Sequence, residues 1–221
     1  MTDTINMQRY DYDNAALVAQ AVAEAVIHAS ITAIAKRGIF HLALAGGTTP
    51  KHCYELLRDA EIDWEKVHVW FGDERCLPVG DAERNDVMAD DALLKHVPIP
   101  ALHVHRIAAE LGAERAAALY AKDLAAIDAL DLVLLGMGED GHTASLFPNN
   151  PALLDNRLAV PVFDSPKPPS DRVSMGYKAL IHARNRIMMV TGAAKRDAFR
   201  RLCDGEALPI LIADSEWHVS L

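Results

Sequence analysis

The stretch DLVLLGMGEDGHTASLFPNN, residues 131–150, sets a carboxylate and an imidazole two residues apart, Asp140 and His142, with Gly141 between them. That pairing suits general acid–base chemistry. The ring takes and returns a proton near neutral pH, and the carboxylate orients the ring or a water. Thr143, Ala144 and Ser145 follow and are small enough to let a substrate approach. The pair hangs from an apolar run, Leu132 to Leu135, closed by Gly136. Such a run reads as a strand buried on both faces, and the carboxyl end of such a strand is where α/β enzymes build sites. Of the ten histidines, His142 is the one placed in a glycine-relieved turn after a buried strand.

Two other strand ends carry chemistry. IFHLALA, residues 39–45, runs into Gly46-Gly47-Thr48-Thr49-Pro50 and then a helix, KHCYELLRD. Glycines allow close backbone approach, Thr48 or Thr49 can cap the helix, and Pro50 suits its first turn. Free N–H groups and the helix dipole there make an anion site. VHVWF, residues 67–71, ends in Gly72-Asp73-Glu74-Arg75. Arg75 suits a phosphate or carbonyl oxygen, while Asp73 and Glu74 are either bases or supports for Arg75. Lys195 lies near another helix start, in Gly192-Ala193-Ala194-Lys195, where a cation can help hold an anion.

Gly136-Met137-Gly138-Glu139-Asp140-Gly141 matches the dinucleotide fingerprint G-x-G-x-x-G. Two carboxylates would then sit where pyrophosphate lies, and Pro148 interrupts the helix the motif should open. A nicotinamide or flavin cofactor is therefore not expected. His103 and His105 could share a strand face, but no further ligand clusters with them, so no metal is assigned.

The supporting elements alternate. A long alanine-rich helix spans residues 13–36 and ends at Gly38; further helices are expected over 85–96, 111–127, 177–183 and from Gly192 to Leu202. Strands are expected over 172–175 and 186–191, with a final edge strand at 208–212, and the proline-rich 161–169 stretch as a rigid loop. Alternating elements with apolar strands predict one three-layer α/β/α Rossmann-like domain over residues 1–221, with a mostly parallel sheet.

Composition sets outer bounds. With 51% hydrophobic and 24% charged residues the chain reads as a soluble globular protein. A net charge of −9 without a basic cluster argues against a nucleic-acid surface. Three unpatterned cysteines fit a reducing cytoplasm. The polar N-terminus reads as neither signal peptide nor anchor, and no apolar run is expected to reach the length of a membrane span.

Taken together, LALAGGTTP, VWFGDERCLP and LLGMGEDGHTASLFP resemble the 6-phosphogluconolactonase family over almost the whole chain. The resemblance implies hydrolysis of 6-phosphoglucono-1,5-lactone with neither metal nor organic cofactor. By it, Asp140 and His142 fall on the catalytic Asp-Gly-His and Arg75 on the substrate-binding arginine. Gly46, Gly47 and Thr48 fall on the phosphate loop, and Lys195 on the lysine near the phosphate. The chain departs from the family at Arg84, where serine is usual, at Val87, where arginine is common, and in its short tail after Ser215.

The expected partner is a small phosphosugar lactone; no nucleic acid, membrane or obligate protein partner is inferred. An ester carbonyl needs an activated water and oxyanion stabilisation. His142 would take the proton from water and return it to the ring oxygen, with Asp140 orienting and Arg75 stabilising. Ser145 and Cys76 lack a motif that would activate them. An amino-sugar-phosphate isomerase or deaminase on this scaffold would have a carboxylate shortly after Asp-Gly-His, and residues 143–147 offer none. A non-catalytic sugar-phosphate sensor ranks last, because no DNA-binding segment accompanies the motifs.

Overall fold

The structure is a computed structural model that describes residues 7–221. Its frame is a six-stranded sheet in which every pairing is parallel. The strands are β1 (Gln8–Asp11), β2 (Phe40–Leu44), β3 (Val67–Phe71), β5 (Leu132–Gly136), β8 (Arg186–Thr191) and β9 (Glu216–Ser220), in the order β1-β9-β8-β5-β2-β3. Leu132 to Leu135 are all buried, as a strand covered on both faces requires.

The order fixes where a site can form. From β2 the chain crosses outward to β3, and from β5 it crosses the other way to β8. Strand direction of travel therefore reverses between the neighbours β2 and β5. A crevice opens outside the carboxyl ends of strands at such a reversal.

Helix α1 (Ala15–Arg37) starts where expected: the Asn14 side chain accepts from Leu17 N–H at 3.0 Å. It stops at Gly38, whose φ of +75° and N–H bond to Ile34 O close the last turn. By length and composition α1 would pass for a membrane span, with a mean hydropathy of 1.6 over eighteen residues. This differs from the expectation that no stretch is long and apolar enough, because alanine counts as apolar in such a measure. In the fold, Val18, Val22, Val26 and Ala33 are buried, and the helix packs on α2 (Thr48–Leu56), β2, β8 and β9.

A second, three-stranded antiparallel sheet joins the first. It is built from β4 (Asp73–Arg75), β6 (Ala159–Val162) and β7 (Arg172–Met175), in the order β4-β7-β6. Gly72 is the junction: its N–H donates to Leu44 O at 2.9 Å and its carbonyl accepts from Met175 N–H at 2.7 Å. The helix expected over 85–96 is α3 (Asn85–Ala89) followed by a π-helical turn, Asp90–Leu94. Helix α4 (Ala113–Leu124) packs on β6 and β7. The last two helices are α5 (Tyr177–His182) and α6 (Arg196–Cys203).

Several strand readings need correction. Residues 208–212 form no edge strand. Pro209 supplies no N–H, and the segment folds into turns, with Ile210 N–H donating to Gly141 O and Tyr177 Oη to Pro209 O. The last strand is instead β9, inside the sheet, where Trp217 and Val219 bury their side chains. Strands β1 and β6 were not anticipated. β1 is exposed throughout, held by its pairing with β9 and by Arg9 over the Phe199 ring and Tyr10 against His218, and β6 carries a proline that masks its pattern.

Candidate active site

A cavity of about 300 Å³ lies at the β2/β5 reversal. Gly46 and Gly47 line it from the end of β2, Gly72 and Asp73 from beyond β3, and Gly136, Met137 and Gly138 from the end of β5. Sequence motifs some ninety residues apart thus meet because their strands are neighbours, Ala43 pairing with Val133. No helix follows Gly136–Gly141; the backbone turns twice instead.

His142 and Asp140 are joined as the spacing implied. His142 Nδ1 lies 2.6 Å from Asp140 Oδ1, and the same oxygen accepts His142 N–H at 3.1 Å. Burial raises the Asp140 carboxyl, but the side-chain and backbone bonds from His142 outweigh it and bring it down to about 2. An ionised carboxylate only accepts, so the neutral ring carries its proton on Nδ1 and leaves Nε2 as an acceptor. The ring packs on Phe147 with centroids 4.4 Å apart, and His142 faces the cavity. Glycine is required beside it: a Cβ on Gly138 would come within 1.9 Å of His142 Nδ1 and 2.7 Å of Asp140 Oδ1.

The cavity is cationic inside an anionic chain. Arg75, Lys167, Arg172 and Lys195 line it, against one carboxylate among the described residues, that of Asp73. Concentrated positive charge in a cleft raises the local concentration of anions. Arg75 and Arg172 face each other across the β4–β7 ladder. Arg75 donates from Nη1 to Glu83 O, while its Nε is buried without a partner among the described residues, an orphan donor of the kind that calls for an explanation. Burial pushes the Lys195 ammonium down; Glu139 and Asp140 draw it up and Lys167 pushes it down.

Other expected residues stand elsewhere. Thr48 and Thr49 do not line the cavity. Thr48 is exposed, and Thr49 Oγ1 lies 2.6 Å from Thr191 Oγ1. Helix α2 is capped by Gly47 with no side-chain bond, so neither threonine is its cap. What the loop presents is backbone, with Gly46 so close to Asn85 that a Cβ would meet Asn85 Oδ1 at 2.1 Å.

Glu74 is no base for this cavity. It is buried and accepts N–H groups from Arg75, Asn85 and Asp86 at 2.7–2.9 Å, fixing α3 to β4. Burial raises its carboxyl towards about 7, against the pull of those three donors. Asp73 is buried as well, accepting from Ser145 Oγ at 2.6 Å and Asn85 Nδ2 at 3.1 Å. Ser145 is therefore committed, and burial pushes the Cys76 thiol up to about 11. His103 and His105 belong to another cluster: they stack at 3.9 Å on His68 and Trp70 respectively.

Sequence reasoning passed over Arg172, Lys167 and Asn85 as site residues. The available signal was a lysine and an arginine bracketing a run of prolines, since a rigid loop carrying isolated cations is a way to aim them. Arg84 is fully used in the structure. It forks onto Asp86 (3.0 and 3.1 Å) and also reaches Glu110 and the carbonyls of Leu77 and Ile107. It supports α3 from behind rather than lining the cavity.

Comparison with known proteins agrees with this architecture. The model of the "Glucosamine-6-phosphate isomerases/6-phosphogluconolactonase" family matches residues 13–219. A 6-phosphogluconolactonase of Streptomyces coelicolor is 38% identical over 209 residues, covering 86% of this chain and 80% of that protein. The GDH/6PGL endoplasmic bifunctional protein of Oryctolagus cuniculus is 38% identical over 182 residues, 76% of this chain, and the match spans 23% of the bifunctional protein's length. The crystal structure of 6-phosphogluconolactonase from Thermotoga maritima superposes with a TM-score of 0.90 at 25% identity, covering 98% of this chain and 100% of the other. Motifs, strand order and matched length concur: the chain belongs to the glucosamine-6-phosphate isomerase/6-phosphogluconolactonase family.

Proposed function

We propose that this chain hydrolyses 6-phospho-D-glucono-1,5-lactone to 6-phospho-D-gluconate, with His142 as the base that activates water. The observation that carries the reading is the Asp140–His142 pair at 2.6 Å, with its imidazole facing a cavity lined by four cations. A lactone that carries phosphate matches that combination: one end needs a proton carrier, the other needs positive charge. The relatives' names support the same substrate.

In this mechanism a water oxygen attacks the lactone carbonyl carbon while its proton passes to His142 Nε2. Negative charge develops on the carbonyl oxygen, where Arg75 and the N–H groups of the Gly46-Gly47 turn would stabilise it. As the tetrahedral centre collapses, the bond to the ring oxygen breaks and His142 Nε2–H protonates that oxygen. Asp140 keeps Nδ1 protonated and balances the imidazolium throughout. Lys195 holds the phosphate, and Arg75 lines the same cavity.

The test is a lactonase assay on freshly made substrate with the spontaneous rate subtracted, comparing wild type with His142→Asn. General-base catalysis contributes about 10²–10⁴-fold, so kcat should fall in that range while KM stays within a few-fold. A folded His142→Asn protein with near wild-type kcat would remove His142 from the mechanism.

A further inference from the structure

The apolar run Leu208–Ile212 pairs with no strand, yet Leu208, Ile210 and Ile212 are all buried. Two of these residues converge on Gly141, the link between Asp140 and His142. Leu208 packs so close to it that a Cβ on Gly141 would come within 2.7 Å of Leu208 Cδ1 and 3.0 Å of its Cβ. Ile210 N–H donates to Gly141 O at 3.1 Å. Gly141 holds a φ of +86°, and whatever fixes its peptide fixes where the carboxylate and the ring begin. The turn has ties of its own, Gly141 N–H to Gly138 O at 3.0 Å and Gly138 N–H to His142 O at 2.8 Å. The 208–212 segment adds a tie from a separate part of the chain.

This strap is not backed by solid core. Leu208, Pro209 and Leu211 line a second cavity, of about 660 Å³, which they share with Pro151, Leu153 and Leu154. Leu208 therefore touches open space as well as the turn. Its contact with Gly141 is kept by bonds along the strap. Tyr177 Oη donates to Pro209 O at 2.6 Å, Arg201 pairs with Glu206, and Ser215 Oγ donates to Ile212 O at 2.8 Å.

We propose that Leu208, by its side chain, and Ile210, by its N–H, are positioning residues for the Asp140–His142 pair. The strap sets the turn, and the turn sets which ring nitrogen carries the proton, because that follows from the bond the other atoms make. The rate effect rests on the reading of the site as a lactonase; the effect on the ring does not.

The experiment compares wild type with Leu208→Ala, Leu208→Met and Tyr177→Phe. Leu208→Ala removes the contact with Gly141, and Leu208→Met keeps its volume. Tyr177→Phe frees Pro209 O by removing one hydroxyl and leaves the turn's own residues unchanged. Two quantities are read. One is kcat and KM for the phosphorylated lactone. The other is the ring tautomer, from long-range ¹H–¹⁵N spectra at about pH 8.5, above the imidazole range, with His142→Asn identifying the signals. Wild type should carry Nδ1–H. Leu208→Ala should lower kcat on the order of tenfold, with KM within about twofold, and mix Nε2–H into the ring signals. Leu208→Met should restore both, and Tyr177→Phe should move both in the direction of Leu208→Ala by less. Wild-type ring signals in folded Leu208→Ala would overturn the positioning role even if kcat falls, since lost stability lowers the rate without changing the tautomer. If Leu208→Ala does not fold, Tyr177→Phe decides, and unchanged ring signals there overturn the role. If wild type lacks lactonase activity but Leu208→Ala still mixes the tautomers, the positioning stands and the lactonase reading fails.

Discussion

Gly138→Ala is the sharpest probe of the site, because one methyl group is aimed at one ring. Gly138 has an ordinary negative φ, so alanine brings no backbone strain. Its Cβ would stand 1.9 Å from His142 Nδ1, 2.1 Å from Cε1 and 2.7 Å from Asp140 Oδ1. Normal contact needs about 3.5 Å, so the ring must move by more than an ångström. The movable groups are both side chains, and His142 can swing outward. That breaks the 2.6 Å bond to Asp140, a contact of the kind worth about 1.5–3 kcal/mol, and moves Nε2 from the place the proposed mechanism gives it. Misplacement on this scale costs about 10²-fold or more in rate. The expected result is kcat lowered by about 10²–10³, with KM within a few-fold because no cation is disturbed. The assay is the lactonase measurement at saturating substrate, with thermal unfolding to confirm the fold. In a His142→Asn background, Gly138→Ala should add little, since the proposed base is already gone. A near wild-type kcat for Gly138→Ala, or a loss that multiplies with His142→Asn, would refute the reasoning.

Further outcomes follow from the surrounding structure. Arg75→Ala and Lys195→Ala should each raise KM for the phosphorylated lactone on the order of tenfold, measured by initial rates; equal kcat/KM for phosphorylated and plain lactone in wild type would contradict the cationic cavity's assigned use. Arg84→Leu removes the guanidinium from buried Asp86 and Glu74, leaving Asp86 the 3.6 Å contact of Arg106 and Glu74 its three N–H donors, and should cost about 3 kcal/mol in urea unfolding; a loss under 1 kcal/mol would show the network to be dispensable. His68 stacks on His103 and lies 2.9 Å from His105, and burial followed by its imidazole neighbours depresses it to about 4. Above about pH 6.5 the ring is neutral in folded and unfolded chains alike and contributes no pH dependence; from there down to about 4 the unfolded chain binds the proton first, so stability falls. The effect, near 3 kcal/mol unscreened, reduces to about 1–2 kcal/mol for a ring this open to solvent, and urea midpoints of His68→Gln should fall less between pH 7 and 4.5 than those of wild type.

Features that depend on neighbours along the chain were legible before any fold was known. The apolar run before Gly136 could only be a doubly covered strand, and Asn14 and Gly38 mark the limits of α1 because caps act within one turn. Asp140 and His142 had to meet because two residues across a glycine turn are within one hydrogen bond of each other. Tertiary structure decided everything that needed a distant partner. Thr49 looked like a phosphate ligand until Thr191 took its hydroxyl, and Glu74 looked like a base until three N–H groups of α3 and β4 closed around it. Apolar residues at 208–212 resembled a strand, but Pro209 offers no ladder donor, while β1 survives on β9's backbone with no buried side chain to advertise it. Arg172 and Lys167 could not be read from composition, because Arg172 donates to three carbonyls gathered by the fold and both residues line a cavity made where β2 and β5 part. Local patterns carry covalent spacing and burial, whereas the aim of a long charged side chain is set by whichever acceptors folding brings within about 3 Å of it.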